Sequence, residues 1–299
     1  MVRLRLALIR FFLTALAHLP LRVLYVISDI LTPVVYHVVR YRRKLVRKNL
    51  TASFPEKTKA EIRRIERQFY RHFGSILMET IKLLHISDEE LRQRVRFTNL
   101  EVLERLCSDG KPIFTFMGHY GNWEYIPSIT LWCKPDLHVC QVYHPLSDKA
   151  MDAFMLHLRG RFNSLGIPQD ETVRTILRRQ AEGMHDILGL IADQRPPKPQ
   201  HKEWISFLHQ PTAIIVGGEH LGKRLQAHYI YAEMNVVRRG YYDIIVHELQ
   251  PNPDESFPVS KQYMHLLEQT INKAPQYYLW THNRWKWALR EDGSLYRNR

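Results

Sequence analysis

Pro112-Ile113-Phe114-Thr115-Phe116-Met117-Gly118-His119-Tyr120-Gly121-Asn122-Trp123-Glu124-Tyr125 is the stretch from which the rest of the chain can be read. Residues 112–117 form a short, nearly unbroken apolar run, the pattern of a strand buried on both faces of a parallel sheet. Two glycines then permit a tight turn, and a helical pattern begins near Gly121. His119 is thereby placed just beyond the carboxyl end of a strand, where open α/β sheets carry their chemistry.

The same alternation extends outward on both sides. Strand-like runs at Arg96–Asn99, Leu137–Tyr143, Asp186–Ala192 and Trp204–Phe207 interleave with helical patterns near Leu100–Ser108, Gly121–Trp132, Asp148–Arg159, Glu171–Gly183 and Ile214–Leu225. Two longer strands, Ala227–Val237 and Tyr241–Gln250, are joined through Arg238-Arg239-Gly240 as a hairpin, and a last helix covers about Ser260–Lys273. Upstream, Ser53-Phe54-Pro55-Glu56 reads as a capping box opening a helix on which Ile62, Ile65, Phe69, Phe73, Ile76 and Ile81 recur at helical spacing. Ser87 and Glu90 open a shorter one. The expected fold class is α/β, a mostly parallel central sheet flanked by helices. Residues 49–299 are expected to form one catalytic domain, preceded by a hydrophobic segment over residues 1–48.

That segment mixes apolar runs with isolated charges. Its longest stretch free of Lys, Arg, Asp and Glu is Phe11–Leu21, too short for an unambiguous spanning helix. Ala15-Leu16-Ala17 mimics an export-signal cleavage site, but Arg10 interrupts the apolar region and hydrophobic sequence resumes after Arg22. The segment therefore reads as a retained membrane anchor, with spanning and surface-lying arrangements both open. Arg40, Arg42, Arg43, Lys44, Arg47 and Lys48 follow as a cluster suited to an anionic leaflet. A buried core helix with a solvated basic end is the plainer alternative.

Charge narrows the partners. Across 299 residues, 43 basic side chains against 30 acidic ones leave a net charge of +13, which draws in anionic membranes, phosphorylated substrates, acidic proteins or nucleic acid. No nucleic-acid-binding motif accompanies the charge. Cys107, Cys133 and Cys140 form no Cys-x-x-Cys pair and are odd in number, which fits free cysteines in a reducing compartment.

His119 and Glu124 are the candidate catalytic pair. The turn between them can bring the carboxylate back to the imidazole, fix its tautomer, and leave the other ring nitrogen free to deprotonate a hydroxyl. No His-Glu-x-x-His pattern or His/Cys cluster points to a metal. Taken alone, the spacing fits an ordinary structural histidine better, since a lone His near a strand end is more often a hydrogen-bonding structural residue.

The fuller block Gly118-His119-Tyr120-Gly121-Asn122-Trp123-Glu124 resembles the active-site block of the lipid A lauroyl/myristoyl (late, secondary) acyltransferase family. Tyr41-Arg42-Arg43 through Asn49-Leu50, Ser53-Phe54-Pro55, Asp193-Gln194-Arg195, Phe207 through Pro211-Thr212, and Trp280-Thr281-His282-Asn283-Arg284-Trp285-Lys286 resemble further blocks of that family, in order. The chain departs from the pattern where family members carry Arg at His144, Asn near Asp148, and Gly at Asn163 or His209.

The resemblance implies a glycerolipid-acyltransferase-like fold and no cofactor beyond the donor thioester. It implies transfer of a fatty acyl chain from acyl carrier protein to a hydroxyl of an under-acylated lipid A precursor, with His119 as general base assisted by Glu124. It implies a catalytic domain on the cytoplasmic side of a Gram-negative inner membrane. Acyl carrier protein, the phosphorylated precursor and anionic membrane lipids would then share the positive surface; no nucleic acid is expected. Asn122 becomes a candidate oxyanion donor and Asp193 a candidate substrate-binding residue at a strand end. Arg159, Arg161, Arg195 and Lys198 become candidate phosphate or carrier contacts, each equally readable as an ordinary surface charge. Trp280, Trp285 and Trp287 suit a membrane interface, although packing back onto the domain is the favoured expectation. A lysophospholipid or phosphatidylinositol mannoside acceptor, a thioesterase, and a non-enzymatic basic membrane-surface protein are the rival readings.

Overall fold

Residues 11–133, 137–197, 203–289 and 294–298 are described in a computed structural model. Seven strands form the central sheet: β1 (Val95–Thr98), β2 (Ile113–Met117), β3 (Leu137–Tyr143), β4 (Leu165–Pro168), β5 (His185–Ile191), β8 (His228–Arg238) and β9 (Tyr241–Glu248). β6 (Trp204–Phe207) and β7 (Gln210–Ala213) make a separate hairpin. The sheet order is β1-β9-β8-β2-β5-β3-β4. Pairing is parallel throughout except between β8 and β9, the hairpin expected from Arg238-Arg239-Gly240. The α/β class and the mostly parallel sheet are as the sequence indicates.

β2 is the centre of this arrangement. All five of its residues are buried, and it pairs with β5 on one side and β8 on the other. That explains its lack of polar alternation, since a parallel strand covered on both faces has no solvent side. The helix Pro258–Lys273 packs against β2, β6 and β8, burying Tyr263, Met264, Leu267 and Ile271.

Two local expectations need correction. Ser53 does not open a helix; it closes the helix Arg43–Ser53. Pro55 disfavours helical backbone at the residue before it, and Phe54 is non-helical at φ −135°, ψ 66°. The capping box lies five residues on, where Thr58 and Glu61 cap the long helix Lys59–Lys82. Ser87 does cap the helix Asp88–Arg94 through the Glu90 N–H. The helix read over Gly121–Trp132 is a 3-10 helix, Trp123–Leu131, with Pro127 inside it. Proline has no N–H for an α-helical bond there.

Two positions where the resemblance leads to an expectation of glycine carry a backbone consequence. Asn163 and His209 take positive φ, 52° and 59°, a region that glycine enters without steric cost. Leu208 and His209 together form the two-residue turn of the β6–β7 hairpin, both in the left-handed region that such turns require.

The N-terminal helices run along the outside of Lys59–Lys82. Helix Leu21–Pro33 continues through a π-helical turn, Val34–Val39, and buries Leu21, Leu24, Ser28 and Tyr36. The basic cluster is largely committed within the protein. Arg43 and Arg47 both bond Glu66, whose side chain is fully buried. Arg42 donates to the Thr281 carbonyl and Lys48 to Asn298. Arg40 and Lys44 stand exposed.

Candidate active site

The site grows directly from strand register. Met117, the last residue of β2, pairs with Ile191, the last residue of β5. Two residues beyond each, His119 and Asp193 therefore emerge side by side from adjacent parallel strands. His119 Nδ1 lies 2.7 Å from Asp193 Oδ1. Asp193 is buried, with 2% of its side chain exposed, while His119 is 17% exposed. The Nδ1–H thus donates to the carboxylate, leaving Nε2 as the ring's acceptor nitrogen. Gln194 sets its amide nitrogen 3.2 Å from Nε2.

The turn between strand and helix is fixed by two glycines. A Cβ on Gly118 would fall 2.7 Å from a Leu267 methyl, so any side chain there would require Leu267 of helix Pro258–Lys273 to move. Gly121 takes φ +60° and would drive a Cβ to 2.4 Å from Met234 Sδ. The C-terminal segment then straps the turn down: the Leu279 N–H donates to His119 O, and the Gly121 N–H to Tyr277 O. Trp280 and Trp285 are buried, donating their indole N–H groups to Pro275 O and Thr212 Oγ1. The tail packs onto the domain, as favoured from its sequence.

Glu124 does not supply the carboxylate on His119 Nδ1; Asp193 does. Glu124 is buried and clamped bidentately by Arg159, Nε to Oε2 at 2.9 Å and Nη2 to Oε1 at 2.6 Å. Trp123 Nε1 also donates to Glu124, at 3.1 Å, and the same indole stands edge-on to His119 with ring centroids 4.9 Å apart. Glu124 therefore reaches the histidine through the wall it holds in place. The 3-10 geometry of Trp123–Leu131 explains this, because Asn122 at φ −111°, ψ 83° is not helical and the turn carries Glu124 toward helix Lys149–Gly160.

The remaining sequence candidates divide sharply. Asn122 is fully buried and donates its amide to Glu79 Oε2 at 2.9 Å, so its side chain supports the turn from beneath and does not face a reacting carbonyl. Arg161 is drawn into the protein, bonding the Leu83 and Ile86 carbonyls and lying 3.5 Å from Asp88. These carbonyls follow the end of helix Lys59–Lys82, whose dipole attracts a cation. Arg159 is likewise committed, to Glu124. Arg195 lies beside the site, its backbone N–H 3.4 Å from His282 Nε2. Lys198 lies outside the described residues.

Burial sets the protonation of what surrounds the pair. Desolvation alone would raise the Asp193 pKa, yet the charge and hydrogen bonding of His119, with the charge of Arg284, hold it below the usual carboxylate value. Burial pushes His282 down to about 4 and His72, whose Nε2 is 3.3 Å from the Gly121 carbonyl, also down to about 4. Both are neutral near pH 7. Beneath the turn, Glu79 is fully buried and accepts from Asn122, Tyr25 and Tyr242. Burial raises its pKa against the opposing pull of these bonds.

A His–Asp pair at the carboxyl end of a central parallel strand, with the second ring nitrogen not held by a carboxylate, is equipped for general-base chemistry on a hydroxyl, and comparison with known proteins gives that chemistry its class: the protein is an acyltransferase. The family model described as bacterial lipid A biosynthesis acyltransferase matches residues 3–287, and the chain belongs to that family. It is 22% identical over 262 residues to the lipid A biosynthesis palmitoleoyltransferase of Escherichia coli (strain K12), covering 86% of this chain and 83% of that one. It is 20% identical over 272 residues to a lipid A biosynthesis acyltransferase of Haemophilus influenzae, covering 90% and 84%.

Proposed function

We propose that the chain moves a fatty acyl group from an acyl carrier protein thioester onto a hydroxyl of an under-acylated lipid A precursor, with His119 Nε2 as general base. The observation that carries this reading is the 2.7 Å contact between His119 Nδ1 and buried Asp193. It fixes the ring so that Nε2 is the nitrogen that takes the proton. The acceptor hydroxyl gives its proton to Nε2 as its oxygen attacks the thioester carbonyl. The imidazolium is stabilised by Asp193, and collapse of the tetrahedral intermediate expels the carrier thiolate, which recovers the proton from Nε2. Glu124 acts one layer out, holding Trp123 against the ring and, with Arg159, presenting a fixed charge pair beside it. Arg195, beside the site through its backbone contact with His282, is the described cation that would meet phosphate or the acidic carrier. The domain works at the cytoplasmic face of the inner membrane of a Gram-negative cell, where donor and acceptor meet.

The test is product mass after incubating detergent-solubilised enzyme with acyl carrier protein thioesters and a precursor lacking one acyl chain. One added acyl unit, lost in His119→Ala and Asp193→Asn, supports donor, acceptor and base together. Transfer to a lysophospholipid instead keeps the base and overturns the acceptor. Release of free fatty acid without transfer overturns the acyl-acceptor assignment, and variants that match wild type overturn His119.

A further inference from the structure

The N-terminal apolar helix raises a question that its composition answers one way and its contacts another. Leu21–Val39 is 19 residues long and apolar enough to cross a bilayer, roughly 28 Å at helical rise. Its contacts, however, run sideways along the helix Lys59–Lys82 in antiparallel order. Lys82 Nζ donates to the carbonyls of Ala17 and Leu19. Tyr25 donates to Glu79, and Gly74 lets Thr32 and Ser28 approach so closely that a Cβ would sit 2.4 Å from the Thr32 hydroxyl. Asp29 takes a bidentate pair from Arg239, at 2.8 and 3.0 Å, and lies 3.7 Å from Arg71.

Asp29 stands near the midpoint of the apolar stretch. Were the helix to span, Asp29, Arg71 and Arg239 would be carried to the bilayer centre, the most costly place for ionised groups. Exposed Arg63, Arg64 and Arg67 on the companion helix would follow them. The opposite face of the same stretch carries no charge at all. Val23, Val26, Ile30, Val34 and Val38 form a continuous stripe at three- and four-residue spacing, and Ile30 and Val38 are 65% and 75% exposed. Phe11 and Phe12 extend the exposed apolar surface toward the N-terminus, and the hairpin that holds Asp29 exposes Val237. Arg22, Arg40 and Lys44 stand exposed on the same segment.

We propose that residues 21–39 lie in the plane of an anionic lipid surface, sinking the Val23–Val38 stripe among the acyl chains while Asp29, Arg71 and Arg239 stay on the aqueous side. An amphipathic helix of this kind sits at the headgroup boundary, and the exposed Arg22, Arg40 and Lys44 supply the attraction to anionic headgroups. The catalytic domain is thereby held against the membrane along the full length of Lys59–Lys82, with no freedom to swing on a tether. This placement does not depend on the acyl donor or acceptor assigned above, and its test needs neither.

The test uses the full chain with Cys107→Ala, Cys133→Ala and Cys140→Ala, labelled in turn at Val26→Cys, Ile30→Cys, Val34→Cys and Val38→Cys with an environment-sensitive fluorophore. Depth-dependent quenching is read in phosphatidylglycerol-containing vesicles. The in-plane arrangement gives four labels at one shallow depth. A profile that deepens toward Ile30 and Val34 and becomes shallow again at Val38 means a spanning helix and overturns the proposal. Labels that stay in water on vesicles, with concentration-dependent dimerisation, mean that a second copy covers the stripe, and overturn it as well. A second reading avoids the cysteine changes: Ile30→Asn with Val38→Asn should reduce vesicle partitioning at least tenfold while leaving the Tm in detergent unchanged, since both side chains are exposed. Unchanged partitioning would reject the stripe as the binding face.

Discussion

Asp193 and Glu124 are two buried carboxylates beside one catalytic turn, and their partners set them apart. Asp193 faces an imidazole, a side chain able to take up and release a proton. Glu124 faces a guanidinium, a partner that never does. The first pair is therefore suited to stabilise a transient imidazolium, and the second to supply a fixed field and a fixed wall. A third carboxylate makes the contrast sharper. Asp186 sits in β5 near its opposite end, seven residues before Asp193, and is clamped by Arg179 at 2.7 to 3.0 Å. Its other neighbour is the buried Cys140 thiol, 3.6 Å from Oδ1, which burial and the Asp186 charge hold protonated, so this pair too keeps a fixed charge.

The largest expected effect falls on the imidazole pair. His119→Ala and Asp193→Asn should each lower kcat for acyl transfer by roughly a thousandfold or more, the scale for removing a positioned general base or the carboxylate that fixes its tautomer. The double variant should be scarcely worse than either alone, because the two residues act as one unit. Multiplying losses in the double variant would show that Asp193 works apart from His119.

The Glu124–Arg159 pair should respond differently. Glu124→Gln leaves a largely buried guanidinium uncompensated, and we expect a stability loss on the order of 3 kcal/mol together with roughly a hundredfold loss of kcat. Neutralising both partners, Glu124→Gln with Arg159→Met, should restore most of the Tm, since removing a buried pair together is far less harmful than breaking it. Activity should stay low. If activity returns along with the Tm, the pair serves the fold alone and the distinction from Asp193 becomes absolute.

What the sequence disclosed follows the same division between near and far. The apolar run before Gly118 marked β2, and the strand–turn–helix reading placed His119 correctly at a strand end. The local spacing then pointed to Glu124 as its carboxylate. The true partner comes from 74 residues downstream, because it depends on β5 inserting between β2 and β3. No periodicity in one sequence states which strands are neighbours. Asp193 was nevertheless singled out, at the end of a strand read as Asp186–Ala192; pairing that strand with β2 would have identified it. The Asn122 assignment failed for a related reason. Its helical start was assumed from the glycine turn, whereas Pro127 and the 3-10 geometry direct its amide inward to Glu79, a buried carboxylate that apolar spacing along the helix gave no reason to suspect.

Acid stability probes both sides of the turn at once, through His282 near Asp193 and His72 beneath Gly121. Each has a folded pKa of about 4 against about 6.5 when unfolded. The unfolded chain therefore binds protons first, so their contribution is complete above pH 6.5 and is lost as pH falls toward 4. The loss should approach roughly 3 kcal/mol for His72 and somewhat less for the more accessible His282. Urea unfolding midpoints measured between pH 7 and 4 should fall steadily, and His72→Gln, which can still donate to the Gly121 carbonyl, should flatten the slope. A slope unchanged in that variant would place the acid-sensitive group elsewhere.

The smallest effect concerns the link from the N-terminal helix to the turn. Tyr25 and Asn122 meet on the two oxygens of Glu79, so the N-terminal helix and the Glu124 side of the site share one buried carboxyl. Tyr25→Phe removes a single hydrogen bond and keeps the ring, costing about 1 kcal/mol. Because Glu79 keeps Tyr242 and Asn122 as donors, the loss should appear in the Tm and leave kcat within about twofold, the equivalent of roughly 0.4 kcal/mol. A larger fall in kcat, at an unchanged KM, would mean that the helix steers the turn through Glu79. The Glu124 side would then be adjustable from the membrane, while the Asp193 side, fixed by strand register, would not.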